Sequence, residues 1–104
     1  MKNTWEKVGV IGVDAGLIWI GDPCYVVTPD ATEHPAKTWG AFIDELYASG
    51  SDFPKTGVKQ YNYKMGHPGL GVLLSTGGDW TFDVFVRRLD DGMIAEAKVV
   101  FSPK

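Results

Sequence analysis

Trp80-Thr81-Phe82-Asp83-Val84-Phe85-Val86 alternates apolar and polar side chains, and this alternation decides the fold class. Successive side chains on a strand point to opposite faces. Trp80, Phe82, Val84 and Val86 therefore share one face, with Thr81, Asp83, Phe85 and Arg87 on the other. Asp90-Asp91-Gly92 follows as a hairpin signal, because Asp-Gly suits a tight turn between antiparallel strands. The return strand runs from Met93 to Phe101. Met93, Ala95, Ala97, Val99 and Phe101 form its expected inner face, and Glu96 and Lys98 its wet face.

Moving towards the N-terminus, Thr76-Gly77-Gly78-Asp79 is a turn, and Leu70-Gly71-Val72-Leu73-Leu74-Ser75 reads as a buried strand. Met65-Gly66-His67-Pro68-Gly69 is another turn cluster. Val58 to Tyr63 reads as an edge strand guarded by Lys55, Lys59 and Lys64. The same lysines with Tyr61 and Tyr63 resemble a nucleic-acid stacking surface, but the acidic balance of the chain favours the edge strand. Ser51 to Thr56 reads as a loop. Trp39, Phe42, Ile43, Leu46 and Tyr47 recur at helical spacing, which predicts one amphipathic helix and places Trp39 in the core. Thr38, or His34 before Pro35, is placed to start it and Gly50 to end it. Thr28 to Pro35 is a polar connection, with a flap over a site as the alternative.

Residues 1–7 form a polar flank expected to fray. Val8 to Val13 is β-branched and reads as a strand. Asp14-Ala15-Gly16 then predicts a hairpin into Leu17-Ile18-Trp19-Ile20. Pro23 ends or bends that strand, since it lacks an N–H and restricts Asp22 before it. Val26 and Val27 are expected to continue extended. The glycines at 9 and 12 lack the spacing and following helix of a dinucleotide-binding loop. The sum is a single α+β domain over 1–104. Its expected shape is a mostly antiparallel, strongly curved sheet or small open barrel of about six strands, with one helix packed on it.

Composition narrows the function. A net charge of −3 and a pI near 5.2 argue against a general nucleic-acid binder, which normally needs a basic face. One cysteine excludes an intrachain disulfide and points to a reducing compartment. No stretch has the pattern of a signal peptide or the length of a membrane span, so the expected location is the cytoplasm.

Asp14 to Tyr25, which ends Gly21-Asp22-Pro23-Cys24-Tyr25, resembles a group of small uncharacterised bacterial and bacteriophage proteins. In that group a G-D-P-C-Y stretch precedes a Trp-containing helix. The C-terminal half is similar too, in Gly77-Gly78-Asp79, Trp80 to Val86, Asp91-Gly92 and Ala95-Glu96 to Phe101. Residues 28–69 match loosely. Where the group often has Tyr-Pro-Val-Tyr, this chain has Phe82-Asp83-Val84-Phe85. The group has no assigned activity, so the resemblance implies fold and origin, with the host cytoplasm as the location if the chain is phage-encoded.

Three function classes follow. The first is a non-catalytic binding protein, an accessory or counter-defence factor that sequesters a small nucleotide-like ligand. Its site is expected around Asp22, Cys24 and Tyr25, with Trp19, His67, Asp79 and Arg87 contributing. Aromatic rings would stack on a planar ligand, and Arg87 or Arg88 would meet an anion. Against this stand the plainer uses of the same residues: Asp22 as a turn cap, Cys24 as a small core hydrophobe, and Trp39 and Trp80 as core. The second class is a homo-oligomeric interaction module. The third is a hydrolase using Cys24 with His67 or His34, oriented by Asp22 or Asp79. No cofactor is expected. The chain has no paired His or Cys at metal-ligand spacing, so no metal is expected either.

Overall fold

The structure is a computed structural model that describes residues 3–27 and 38–102, with Val26 and Val27 described by their backbone. The expected loop at 28–35, including His34, lies outside the described residues. The fold is α+β. Its strands are β1 (Glu6–Val13), β2 (Leu17–Ile20), β3 (Val58–Asn62), β4 (Pro68–Ser75), β5 (Trp80–Arg88) and β6 (Ile94–Val99). Its helices are α1 (Cys24–Val27), α2 (Trp39–Leu46) and α3 (Phe53–Thr56). No helix among the described residues is long and apolar enough to cross a membrane.

Two sheets of three antiparallel strands take the place of one continuous curved sheet, in the orders β1-β5-β6 and β2-β4-β3. No strand pairing among the described residues closes either sheet on itself. The sheets belong to two compact units, one built from the segments up to Gly16 and from Thr76 onward, the other from Leu17–Ser75.

In the first unit the Asp90–Gly92 hairpin forms as read. Leu89 N donates to Met93 O at 2.7 Å, Met93 N donates to the Asp91 carboxylate at 2.9 Å, and β5 pairs with β6. Phe82 and Val86 are buried with Val13, and Phe101 meets Phe82 edge-on at 5.5 Å. Trp80, Met93, Ala95 and Ala97 depart from the expected inner faces and are exposed, Trp80 at 75% and Met93 at 65%. Trp80 and Met93 stand at strand ends, Trp80 opposite Val13 in the last pair of β1 and Met93 before β6, whereas Ala95 and Ala97 lie within β6, an edge strand of the sheet. Glu6 and Lys7 belong to β1 and do not fray, and Trp5 is covered by Lys98 at 4.2 Å and Arg87 at 5.0 Å.

The expected hairpin between β1 and β2 does not form. β1 pairs with β5 and β2 with β4. Asp14-Ala15-Gly16 carries the chain from one sheet to the other, and Gly16 O accepts from Thr76 N at 2.9 Å. A turn signal fixes where a strand ends but not its next neighbour, which is set by pairing with segments distant in the chain.

In the second unit α2 is capped as expected, with Ala41 N donating to Thr38 Oγ1 at 3.1 Å. It ends at Tyr47 rather than at Gly50. Its apolar stripe delivers Phe42 and Leu46 to a core with Phe53, Tyr61, Leu70 and Leu73. Trp39 stacks on Phe42 at 5.6 Å, yet as the first helical residue it stays 59% exposed. Two single-turn helices add to the one expected: α3 where a loop was read, and α1 where Val26 and Val27 were expected to extend. β3 is the edge strand the lysines indicated, but Tyr61 is buried and Lys59 pairs with Glu45 at 2.7 Å, so neither builds an open stacking surface.

Candidate functional site

Asp22 sets the local geometry of the G-D-P-C-Y stretch. Its carboxylate accepts from Cys24 N at 3.0 Å and its carbonyl accepts from Tyr25 N at 3.2 Å. Pro23 is compatible with the first turn of a helix, where its missing N–H costs nothing. The strand therefore gives way to α1 immediately after it, and Asp22 takes the turn-cap role. Cys24 opens α1 and is exposed, so it is not the buried hydrophobe expected.

α1 aims Tyr25 at the far end of the β3–β4 hairpin. Tyr25 meets Tyr63 edge-on with ring centres 5.4 Å apart, and the two hydroxyls share a hydrogen bond at 3.2 Å. Tyr63 also lies 4.7 Å from the exposed His67 ring. The turn that joins them is closed by Tyr63 N donating to His67 O at 3.0 Å and Gly66 N donating to Tyr63 O at 2.8 Å. Gly69 is required beneath this cluster. Its φ is +129°, and a Cβ there would stand 3.1 Å from the Tyr63 ring. Tyr25 and His67 thus both meet Tyr63, a residue the sequence assigned only to the edge strand, while Asp22 and Cys24 contact each other in the turn before Tyr25. The spacing of Tyr63 and His67 about Gly66 was the available signal, since it sets the two rings across one turn.

The surroundings of Cys24 and Tyr25 favour their protonated forms. Desolvation raises the Cys24 thiol above its ordinary value, and the hydrogen bond and negative charge of Asp22 raise it further. A thiol attacks as the thiolate, so this environment opposes a Cys–His mechanism. The Tyr25 phenol is pushed up to about 12, first by its hydrogen bond with Tyr63. Both groups keep their protons at neutral pH and act as hydrogen-bonding surfaces.

The other expected residues lie elsewhere. Trp19 is in β2, half-buried, with its indole 5.0 Å from Tyr61, and it serves the core. Arg87 and Asp79 belong to the first unit. The Arg87 guanidinium is held by Glu96 through Nε at 3.0 Å and through Nη2, and lies over Trp5. Arg88 donates to Glu6 at 2.7 Å and to Gly92 O at 2.9 Å. Both arginines are thus engaged on their own sheet. Asp79 lines a groove of about 530 Å³ with Gly12, Val13, Asp14, Trp80 and Thr81. Two carboxylates and no basic residue line that groove, which disfavours a phosphate there. Among the described residues no group of three or more His, Cys, Asp and Glu is placed to hold a metal ion.

Comparison with protein-family models, with curated proteins and with solved structures gives no match.

Proposed function

We propose that this chain is a small non-catalytic binding protein that holds a nucleotide-like ligand through its planar base at the Tyr25–Tyr63–His67 cluster. One observation carries the proposal: Tyr63 touches both Tyr25 and His67, and so joins the G-D-P-C-Y stretch to the β3–β4 turn. Ring edges and faces, two phenol hydroxyls and an exposed imidazole make a surface that stacks on a flat ligand and hydrogen-bonds its rim. Asp22 stabilises the turn that presents Tyr25 and does not itself need to touch the ligand. The raised Cys24 thiol favours this reading over the Cys–His hydrolase. The wider role, a cytoplasmic accessory or counter-defence factor of bacterial or phage origin, belongs to the same proposal and rests on the G-D-P-C-Y resemblance.

Native mass spectrometry of protein purified from cells, before and after denaturation, tests it. The expected result is a nucleotide-sized mass released from the wild type and lost in His67→Ala. A protein carrying no such mass, and whose melting temperature no nucleotide raises, would overturn it.

A further inference from the structure

The sheet β1-β5-β6 has two edges, and they differ. β1 is interrupted by a bulge between Lys7 and Gly9, which bends an edge away from a would-be neighbour. β6 has its irregularity near its start, where the register slips between Arg87 and Arg88. From Glu96 to Val99 it keeps unbroken register with β5. Its outer side bears no strand among the described residues, so a row of backbone donors and acceptors faces outward there.

The side chains along that row complement themselves. The segment reads Ala95-Glu96-Ala97-Lys98-Val99, a charge pattern that inverts about Ala97. Suppose the strand pairs antiparallel with its own copy about a two-fold axis at Ala97. Glu96 then faces Lys98 of the second copy, twice. Ala95 faces Val99 of the second copy, twice, and Ala97 faces Ala97. Moving the axis to Glu96 or to Lys98 sets like charges opposite one another, which is destabilising. A one-residue slip would turn each side chain to the wrong face. Opposite faces of the strand are therefore compatible with one register only. Its alanines at 95 and 97 are exposed and small, and leave room for the second backbone. The charged side chains are already held over their own sheet, Glu96 by Arg87 and Lys98 over Trp5.

We propose that β6 pairs with β6 of a second copy about Ala97, making a two-fold dimer with a six-stranded continuous sheet. This interface is independent of the ligand reading, because it uses only the first unit.

Sedimentation of the full chain over a concentration range is the test. The wild type is expected to pass from 11.4 kDa to twice that mass. Glu96→Lys and Lys98→Glu should each raise the dissociation constant roughly tenfold or more, since each replaces both ion pairs by like-charge pairs. Mixing these two variants should restore a heterodimer, because every facing pair is then opposite in charge. Circular dichroism of each variant separates loss of fold from loss of association. Ala97→Cys in a Cys24→Ser background gives a second measurement. Facing residues in this register are close enough for a disulfide, so oxidation should link two copies at 97. A wild type that stays monomeric overturns the proposal, as does a dimer that neither charge variant weakens or that fails to crosslink at 97.

Discussion

The Trp19 indole lies across Gly71 on the neighbouring strand, so closely that a Cβ at 71 would stand 2.1 Å from the indole Cζ2. Trp19 is paired with Leu73 in the β2–β4 register, which puts Gly71 diagonally across from it. The ring uses the missing side chain as its seat and reaches Tyr61 at 5.0 Å beyond. Gly71→Ala should therefore force the indole or β4 to move, at a cost of about 1–3 kcal/mol. Thermal unfolding checks this, and Trp19→Leu in the same background should recover part of the loss because the conflict is then removed.

Leu46 has no exposed surface and sits at the centre of the second unit's core. Leu46→Ala should cost about 2–5 kcal/mol, the range for a fully buried leucine that leaves a cavity. Urea unfolding should show a lower midpoint. Tyr47→Ala, one residue on but 56% exposed, should cost much less.

Two phenols titrate late. Tyr25 is pushed up to about 12 first by the hydrogen bond with Tyr63, and Tyr61 to about 12 first by desolvation and then by the charge of Glu45. A free tyrosine ionises near 10. The folded state therefore favours the protonated phenol. That stability is fully present below about pH 10 and is lost as pH rises towards 12. Ultraviolet titration should show Tyr25 and Tyr61 ionising at about 12, and Tyr25→Phe and Tyr61→Phe should each remove one late step.

Cys24 is exposed, but its thiol is raised first by desolvation and then by the hydrogen bond and charge of Asp22. Alkylation by iodoacetamide should accelerate with pH along a curve displaced above that of an ordinary cysteine. Asp22→Asn keeps a side-chain oxygen for the turn and removes the charge, so the curve should shift back and the rate at neutral pH should rise. An unchanged curve would assign the shift to desolvation alone.

Much of the local structure was legible from residue order. Alternation at 80–86 and helical spacing at 39–47 arise from backbone geometry within a few residues; the strand forms as read, and the helix starts as read but stops at Leu46, short of Gly50. Thr38 was readable as a cap and Asp90–Gly92 as a hairpin, because each is a contact between near neighbours. The candidate site was legible in part. Asp22, Cys24 and Tyr25 are near neighbours in the chain, whereas the link from Tyr25 towards His67 runs through Tyr63, 38 residues from Tyr25.

The sequence by itself determined that strands dominate, that one amphipathic helix starts after Thr38, and that the chain is acidic overall. Only the tertiary structure decided that β1 joins β5 and β2 joins β4, that Trp39 and Trp80 end exposed, that Arg87 is committed to Glu96, and that Tyr63 links α1 to the β3–β4 turn. The physical reason is range. Periodicity states which side of an element is apolar, but not which distant element covers it; that choice is made by burial and hydrogen bonding summed over contacts far apart in the chain.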